Sequence, residues 1–282
     1  MSPKELLHRY GLQPKKALGQ NFLLDPRALA RLAQALGPLE GREVWEVGPG
    51  LGGLTRLLAD GGARVHAIEL DRTLEAPLRE VLAGTSVELY FQDALSFDWS
   101  SVPAGSLFAA NLPYHIATPL LSQVLRSLRF ERLVILVQRE VAQRLVAQPG
   151  SRAYGLLSLR VQHHARVRRL FDLPPSAFYP PPKVTSTAVL LESRGVPDDP
   201  LLFFWIERAF IYRRKTLENN LLRAGVDPEV LQSLTLPPGV RAEQLSLDDY
   251  RRLAERLGEL VAHHREHEEN IEPERPHQDL EP

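Results

Sequence analysis

Glu46-Val47-Gly48-Pro49-Gly50-Leu51-Gly52-Gly53 is the stretch on which the fold turns. It follows the β-prone run Val44–Val47 and opens an amphipathic segment, Gly53–Ala59. Glycines at these positions let the backbone reverse sharply and approach a ligand closely, with a helix N-terminus behind it. On either side, from Arg42 to Gln138, short β-rich runs alternate with helical patterns. The strand candidates are Val44–Val47, Val65–Ile68, Val87–Phe91, Leu107–Ala110 and Leu133–Val137; Leu74–Leu82 and Pro119–Leu128 join Gly53–Ala59 as helix candidates. Strand and helix repeated in this way predict an α/β fold, a mostly parallel sheet covered on both faces. Ligands of such sheets bind beyond the carboxyl ends of the strands, where the strand order reverses. Two later runs, Leu159–Val167 and Thr185–Leu191, are expected to add strands.

The next strand ends in Ala67-Ile68-Glu69-Leu70-Asp71. Glu69 stands 21 residues after Gly48, the spacing that brings a carboxylate to a ribose diol. A dinucleotide site has the same spacing but wants G-x-G-x-x-G. Here the pattern is G-x-G-x-G with Pro49 inside it, which suits an adenosyl ligand without a pyrophosphate. Asp93, in Phe91-Gln92-Asp93-Ala94, ends the third strand and is placed to accept from an adenine amino group.

Asn111-Leu112-Pro113-Tyr114 follows the fourth strand. The exocyclic nitrogen of adenine is a poor nucleophile because its lone pair is delocalised into the ring. The Asn111 side-chain oxygen and the Leu112 carbonyl can each accept one of its N–H bonds, drawing it toward a tetrahedral geometry for in-line attack on a sulfonium methyl. That is positioning and electrostatic stabilisation without a strong base. Pro113 stiffens the turn, and Tyr114 is placed to stack on an extruded base.

Composition bounds the rest. The 282 residues suffice for one large α/β domain and a smaller one. Cysteine is absent, which removes disulfides, thiolate metal sites and cysteine nucleophiles. With no signal-like N-terminus and no apolar run near the ~20 residues of a membrane span, a soluble cytoplasmic protein without membrane association is expected. No metal and a monomer are separate expectations, and the sequence itself does not fix the oligomeric state. The chain carries 34 Lys+Arg and 35 Asp+Glu. Residues 263–282 hold seven of the acids and only two arginines, so the body has 32 against 28, about +4. Such a body permits nucleic-acid binding. The predicted division is 1–192 for an N-terminal arm and the α/β domain, 193–262 for a small all-helical domain, and 263–282 for a disordered acidic tail. Helical patterns in the second domain fall at Leu201–Tyr212, Thr216–Ala224, Pro228–Leu234 and Leu247–Val261.

With these motifs in this order, the sequence resembles the ribosomal small-subunit RNA adenine dimethyltransferases from about Lys16 to Leu260. Gly19-Gln20-Asn21-Phe22-Leu23 is similar to that family's N-terminal cofactor motif. Phe178-Tyr179-Pro180-Pro181-Pro182-Lys183-Val184 resembles its aromatic-proline segment, and Arg213-Arg214-Lys215-Thr216-Leu217-Glu218-Asn219-Asn220-Leu221 its signature in the helical domain. The resemblance implies a Rossmann-like domain that uses S-adenosylmethionine. It implies cofactor contacts from Asn21, Leu23, Gly48, Glu69, Asp93 and Asn111, and an adenine held by Asn111, Leu112 and Tyr114 with Phe178 on the other face. The implied reaction is dimethylation of two adjacent adenosines in the terminal hairpin of the small-subunit RNA, late in subunit assembly, with a pre-30S particle as partner. For the RNA surface the densest basic clusters are Arg166-Val167-Arg168-Arg169 and Arg213-Arg214-Lys215, with Lys15-Lys16 a third; Arg213–Lys215 is expected at the cleft between domains. Three rival functions share much of this pattern: a large-subunit RNA adenine methyltransferase of the antibiotic-resistance type, a DNA adenine methyltransferase, and an assembly factor whose methylation is secondary. Leu112 and the match through the helical domain favour the small-subunit enzyme.

Overall fold

Hydrophobic alternation along each strand sorts the core into two layers. In the computed structural model, which describes residues 2–112 and 116–269 and side chains as far as 258, Trp45 and Val47 of one strand pack on one face of a sheet and Val44 on the other. The large first unit, residues 1–148 and 153–198, is built around this sheet. It opens with α1 (Pro3–Arg9), capped by Ser2 and Glu5, a two-residue strand β1 (Phe22–Leu23), and α2 (Pro26–Ala35) with Asp25 as its N-cap. Then come β2 (Glu43–Val47), α3 (Gly53–Asp60), β3 (Arg64–Glu69), α4 (Glu75–Val81), β4 (Glu88–Phe91), β5 (Ser106–Asn111), α5 (Ala117–Arg126) and β6 (Phe130–Gln138). The unit closes with α6 (Arg139–Leu145), α7 (Leu156–His164), β7 (Ala165–Leu173), β8 (Phe178–Tyr179) and β9 (Ser186–Ser193).

Seven strands form the main sheet in the order β4-β3-β2-β5-β6-β9-β7, and β1 pairs separately with β8. The first five are mutually parallel, whereas β9 runs antiparallel to both β6 and β7. This is the mostly parallel α/β sheet expected from the sequence. α5, α6 and α7 cover one face and α2 and α3 the other. Full burial of each large aliphatic side chain contributes roughly 1.5–3 kcal/mol. From β2 the order runs outward to β3 and β4 on one side and to β5 and β6 on the other. The reversal therefore falls between β2 and β5, and their register sets Val47 opposite Ala110. Gly48 and Asn111, the next residue of each, meet at that point.

One expected strand is largely a helix: Leu159–Val167 is α7 as far as His164, and β7 begins only at Ala165. Leu157, Ser158, Leu159, Val161, His163 and His164 are all buried, so neither a twofold nor a 3.6-residue period marks the segment. The other run, Thr185–Leu191, is β9. The turn-rich stretch after Glu192 is held against α7, where His163 Nε2 and His164 Nδ1 lie 2.8 and 3.0 Å from the carbonyls of Pro197 and Val196.

The second unit, residues 149–152 and 199–282, is helical: α8 (Pro200–Ala209), α9 (Leu217–Arg223), α10 (Pro228–Ser233) and α11 (Leu247–Glu269). Asp199, Thr216 and Asp227 cap the first three. The contact between Gly150 N and Glu243 O, 2.7 Å, joins residues 149–152 to this unit. The start of the expected tail needs correction: from His263 to Glu269 the chain continues α11. Glutamate and arginine favour a helix there, and no glycine or proline falls between His263 and Glu269. Residues 270–282 lie outside the described residues. Among the described residues no helix is long and apolar enough to cross a membrane.

Candidate active site

Three glycines shape the turn after β2, each in the left-handed region: Gly48 at φ 72°, Gly50 at 57° and Gly52 at 79°. A side chain at Gly50 would also meet the Phe22 ring at 2.9 Å. Glycine is thus required twice, once for conformation and once for space. The turn leaves the Gly50 amide free to donate to Glu69 Oε2 at 3.2 Å, while the Asp71 amide donates to Oε1 at 2.8 Å. Glu69 is buried, and burial pushes its carboxyl up, with the two backbone donors offsetting part of that. A carboxylate has about four acceptor positions, so both oxygens keep capacity for a diol. Glu46 lies nearby at 2 % exposure, and burial, then the charge of Glu69, push it up to about 8.

Asp93 sits at the end of β4, exposed, and accepts from Leu95 N at 2.9 Å. Asn111 ends β5, and its Nδ2 donates to the carbonyl of Asn21 at 3.1 Å. Among the described residues its Oδ1 meets no donor, so the amide turns its acceptor away from Asn21. Leu112 continues the ladder through its amide to Leu136 O and is buried. Phe178 is 3 % exposed and pairs with Leu23 across the β1–β8 ribbon. Pro113, Tyr114 and His115 lie outside the described residues.

A single cavity of about 570 Å³ takes in these groups. Asn21, Leu23, Gly48, Glu69, Asp93 and Asn111 border it, as do Leu112 and Phe178. Its size falls within the range of small-molecule sites. Glu69 offers acceptors to a diol, and Gly48 and Gly50 hold backbone where side chains would intrude. These features suit a nucleoside.

Sequence reasoning missed Asp71. Asp71, 4 % exposed, accepts from Lys15 Nζ at 2.6 Å, Thr73 Oγ1 at 2.6 Å and Gln20 Nε2 at 2.7 Å. Lys15, expected in a basic RNA surface, is exposed and half of an ion pair. Asp71 stands 56 and 51 residues from Lys15 and Gln20, so no local pattern announces the cluster. Of the other basic residues, Arg168 is exposed on the edge strand β7, while Arg169 is held by Asp172 at 3.0 Å. In the second unit, Arg213 donates to Arg152 O at 3.0 Å, and Arg214 and Lys215 are exposed on the turn between α8 and α9.

A parallel sheet with a glycine turn at its reversal, acids at the two following strand ends and asparagine at the fourth defines an S-adenosylmethionine-dependent methyltransferase. A family model described as ribosomal RNA adenine dimethylase matches residues 11–259. The chain belongs to the ribosomal RNA adenine dimethylase family and is an rRNA adenine dimethyltransferase. It is 45 % identical over 262 residues to ribosomal RNA small subunit methyltransferase A of Deinococcus radiodurans, covering 90 % of this chain and 89 % of that one. Identity to the protein of the same description from Rhodopseudomonas palustris is 43 %, over 90 % of this chain and 93 % of the other. Among solved structures it is similar to the 23S rRNA methyltransferase ErmE, with a TM-score of 0.67, 26 % identity, and coverage of 84 % of this chain and 100 % of that one. A dimethyladenosine transferase from Plasmodium falciparum shares the fold, with a TM-score of 0.72, 24 % identity, and coverage of 86 % and 98 %.

Proposed function

We propose that this chain dimethylates the N6 amino groups of two adjacent adenosines in the 3′-terminal hairpin of small-subunit rRNA, acting as a cytoplasmic monomer on a partly assembled subunit, with S-adenosylmethionine as donor and no metal. The observation that carries the chemistry is the fixed amide of Asn111. With Nδ2 committed to Asn21 O, its Oδ1 is left as an acceptor on the cavity that Glu69 borders. Asn111 Oδ1 and the Leu112 carbonyl accept the two N–H bonds of the adenine amino group and expose its lone pair. Tyr114 and Phe178 hold the base from its two faces. Asn21, Leu23, Gly48, Glu69 and Asp93 hold the cofactor, with Glu69 on the ribose diol and Asp93 on the adenine amino group. When bound, S-adenosylmethionine supplies an electrophilic methyl on a sulfonium. No side chain need act as a strong base, because alignment of the nucleophile supplies much of the rate. Arg213, Arg214 and Lys215, with Arg168 and Arg169, meet RNA phosphates.

The small-subunit target is favoured by relatives of that description at 43–45 % identity over about nine-tenths of both chains, against 26 % for the large-subunit enzyme. The experiment is transfer of labelled methyl to undermethylated small subunits, large subunits and duplex DNA in parallel, with Asn111→Ala as control. Label in dimethyladenosine of small-subunit RNA, lost in the variant, is expected. Label confined to large-subunit RNA or DNA would overturn the target. No label with cofactor still bound would favour an assembly role.

A further inference from the structure

The N-terminal arm reaches the reaction centre through a chain of hydrogen bonds that begins at Asp71. Residues 15–20 form a loop closed on itself, since Lys15 N donates to Gln20 Oε1 at 2.8 Å. Both ends of that loop converge on one carboxylate: Lys15 Nζ on Asp71 Oδ1 at 2.6 Å and Gln20 Nε2 on Oδ2 at 2.7 Å. The next residue is Asn21. Its side chain donates to Gly19 O at 3.1 Å, and its carbonyl accepts from Asn111 Nδ2 at 3.1 Å. At the other end of the same cluster, the Asp71 amide holds Glu69 Oε1.

We propose that Asp71 is a positioning residue: by tethering residues 15–20 it aims the Asn21 carbonyl and so keeps the Asn111 amide with its oxygen toward the adenine amino group. This rests on the role given above to Asn111. An amide has two unlike ends. Turned over, Asn111 presents N–H to an amino group that is itself a donor, and the contact that should draw out the adenine protons becomes repulsive. Nothing on β5 itself fixes the choice, because Nδ2 finds its partner on the arm. Capping the short turn Arg72–Leu74 needs only the bonds from Thr73 to Asp71. The reach of Lys15 and Gln20 across more than fifty residues is outside that task. Burial of Asp71 opposes its charge, but the donors Lys15, Thr73 and Gln20 outweigh it and hold the carboxyl below its usual value, so the tether stays ionic at neutral pH.

Asp71→Asn, Lys15→Met and the double variant are compared with wild type in three measurements: kcat and KM for methyl transfer to small-subunit RNA, the Kd for S-adenosylhomocysteine, and the side-chain amide resonance of Asn111 in the protein without RNA, assigned by its loss in Asn111→Ala. Expected are a fall in kcat of about tenfold or more with a change in Kd of about threefold or less, since the tether acts on the reacting amide more than on ground-state binding. The Asn111 resonance moves in both single variants, the double variant is no worse than the poorer single one, and Lys15→Arg restores kcat. An unmoved Asn111 resonance, or a kcat that stays at the wild-type level while only thermal stability falls, would overturn the proposal. So would additive losses in the double variant. Should Asp71→Asn fail to fold, Lys15→Met carries the same test, because Lys15 is half exposed. Wild type that labels no rRNA would instead sink the assigned function, and the Asn111 resonance would still decide whether Asp71 sets that amide.

Discussion

The turn after β2 is shaped by its backbone, whereas the turn between α8 and α9 is shaped by a side chain. In the first, Gly48, Gly50 and Gly52 take left-handed conformations that other residues rarely adopt, and amides meet acceptors along the turn. In the second, buried Asn220 donates from Nδ2 to the carbonyls of Ala209 and Tyr212 at 2.8 and 3.2 Å, and accepts from Tyr212 N at 3.2 Å. That amide stands in for a backbone partner and holds up the turn on which Arg213, Arg214 and Lys215 follow. The difference decides what each turn tolerates: the glycine turn fails when a side chain is added, the arginine turn when one is removed.

Gly50→Ala should give the largest effect. The left-handed φ costs roughly 1–2 kcal/mol for an L-residue, and the new methyl meets Phe22 at 2.9 Å, which forces the turn itself to shift. Cofactor affinity is expected to fall about 100-fold, the strain and the clash together reaching nearly 3 kcal/mol, while RNA affinity holds. Calorimetric titration with S-adenosylhomocysteine checks the first and filter binding the second. Wild-type cofactor affinity would show that the turn is less constrained than its angles indicate.

The same contrast governs what the sequence disclosed. The glycine turn, the acid at Glu69 and the asparagine of Asn111 sit at strand ends, where function and local pattern coincide, so motif and spacing are readable together, whereas the strand order is not. α7 was hidden because burial on all sides erased its period. Asp71 and Asn220 were hidden for another reason: each is an ordinary polar residue in its local stretch, and its meaning lies in partners that folding supplies. Lys15 shows the same limit from the other side: its place in a basic cluster is local, but its pairing with Asp71 is not.

Removing the side chain that shapes the second turn tests the other half of the comparison. Asn220→Ala leaves the Ala209 carbonyl and the Tyr212 groups without this partner, and stability should fall by about 1–3 kcal/mol, read by chemical denaturation. RNA affinity should weaken with it, and affinity for S-adenosylhomocysteine should not change. Asn220→Asp keeps the acceptor but loses both donations, so it should be no better than alanine. An unchanged denaturation midpoint in both variants would mean that the turn is held by other contacts.

Burial adds a pH signature to the glycine turn that the arginine turn lacks. Glu46 is raised from 4.5 to about 8 in the folded chain. The native state therefore holds a proton that the unfolded chain has released, and stability falls as pH rises from about 4.5 toward 8. The slope from this one group is at most about 1.4 kcal/mol per pH unit. Glu46→Gln should flatten that fall, so the stability difference between variant and wild type grows from pH 5 to pH 9. A constant difference across that range would place the titration of Glu46 elsewhere.

The smallest effects are expected where charges sit in solvent. Arg214 and Lys215 are exposed on the arginine turn, whereas Arg169 is drawn to Asp172 at 3.0 Å. A cation that neutralises one phosphate contributes about 0.7–0.9 to the slope of log affinity against log salt. Arg214→Glu and Lys215→Glu should each lower that slope by about one and weaken RNA severalfold at low salt. Arg169→Ala should do less, because Asp172 already neutralises part of its charge. If Arg169→Ala matched the two reversals, the edge strand β7 would be the stronger RNA contact, and the care that Asn220 takes of its turn would need a reason other than RNA.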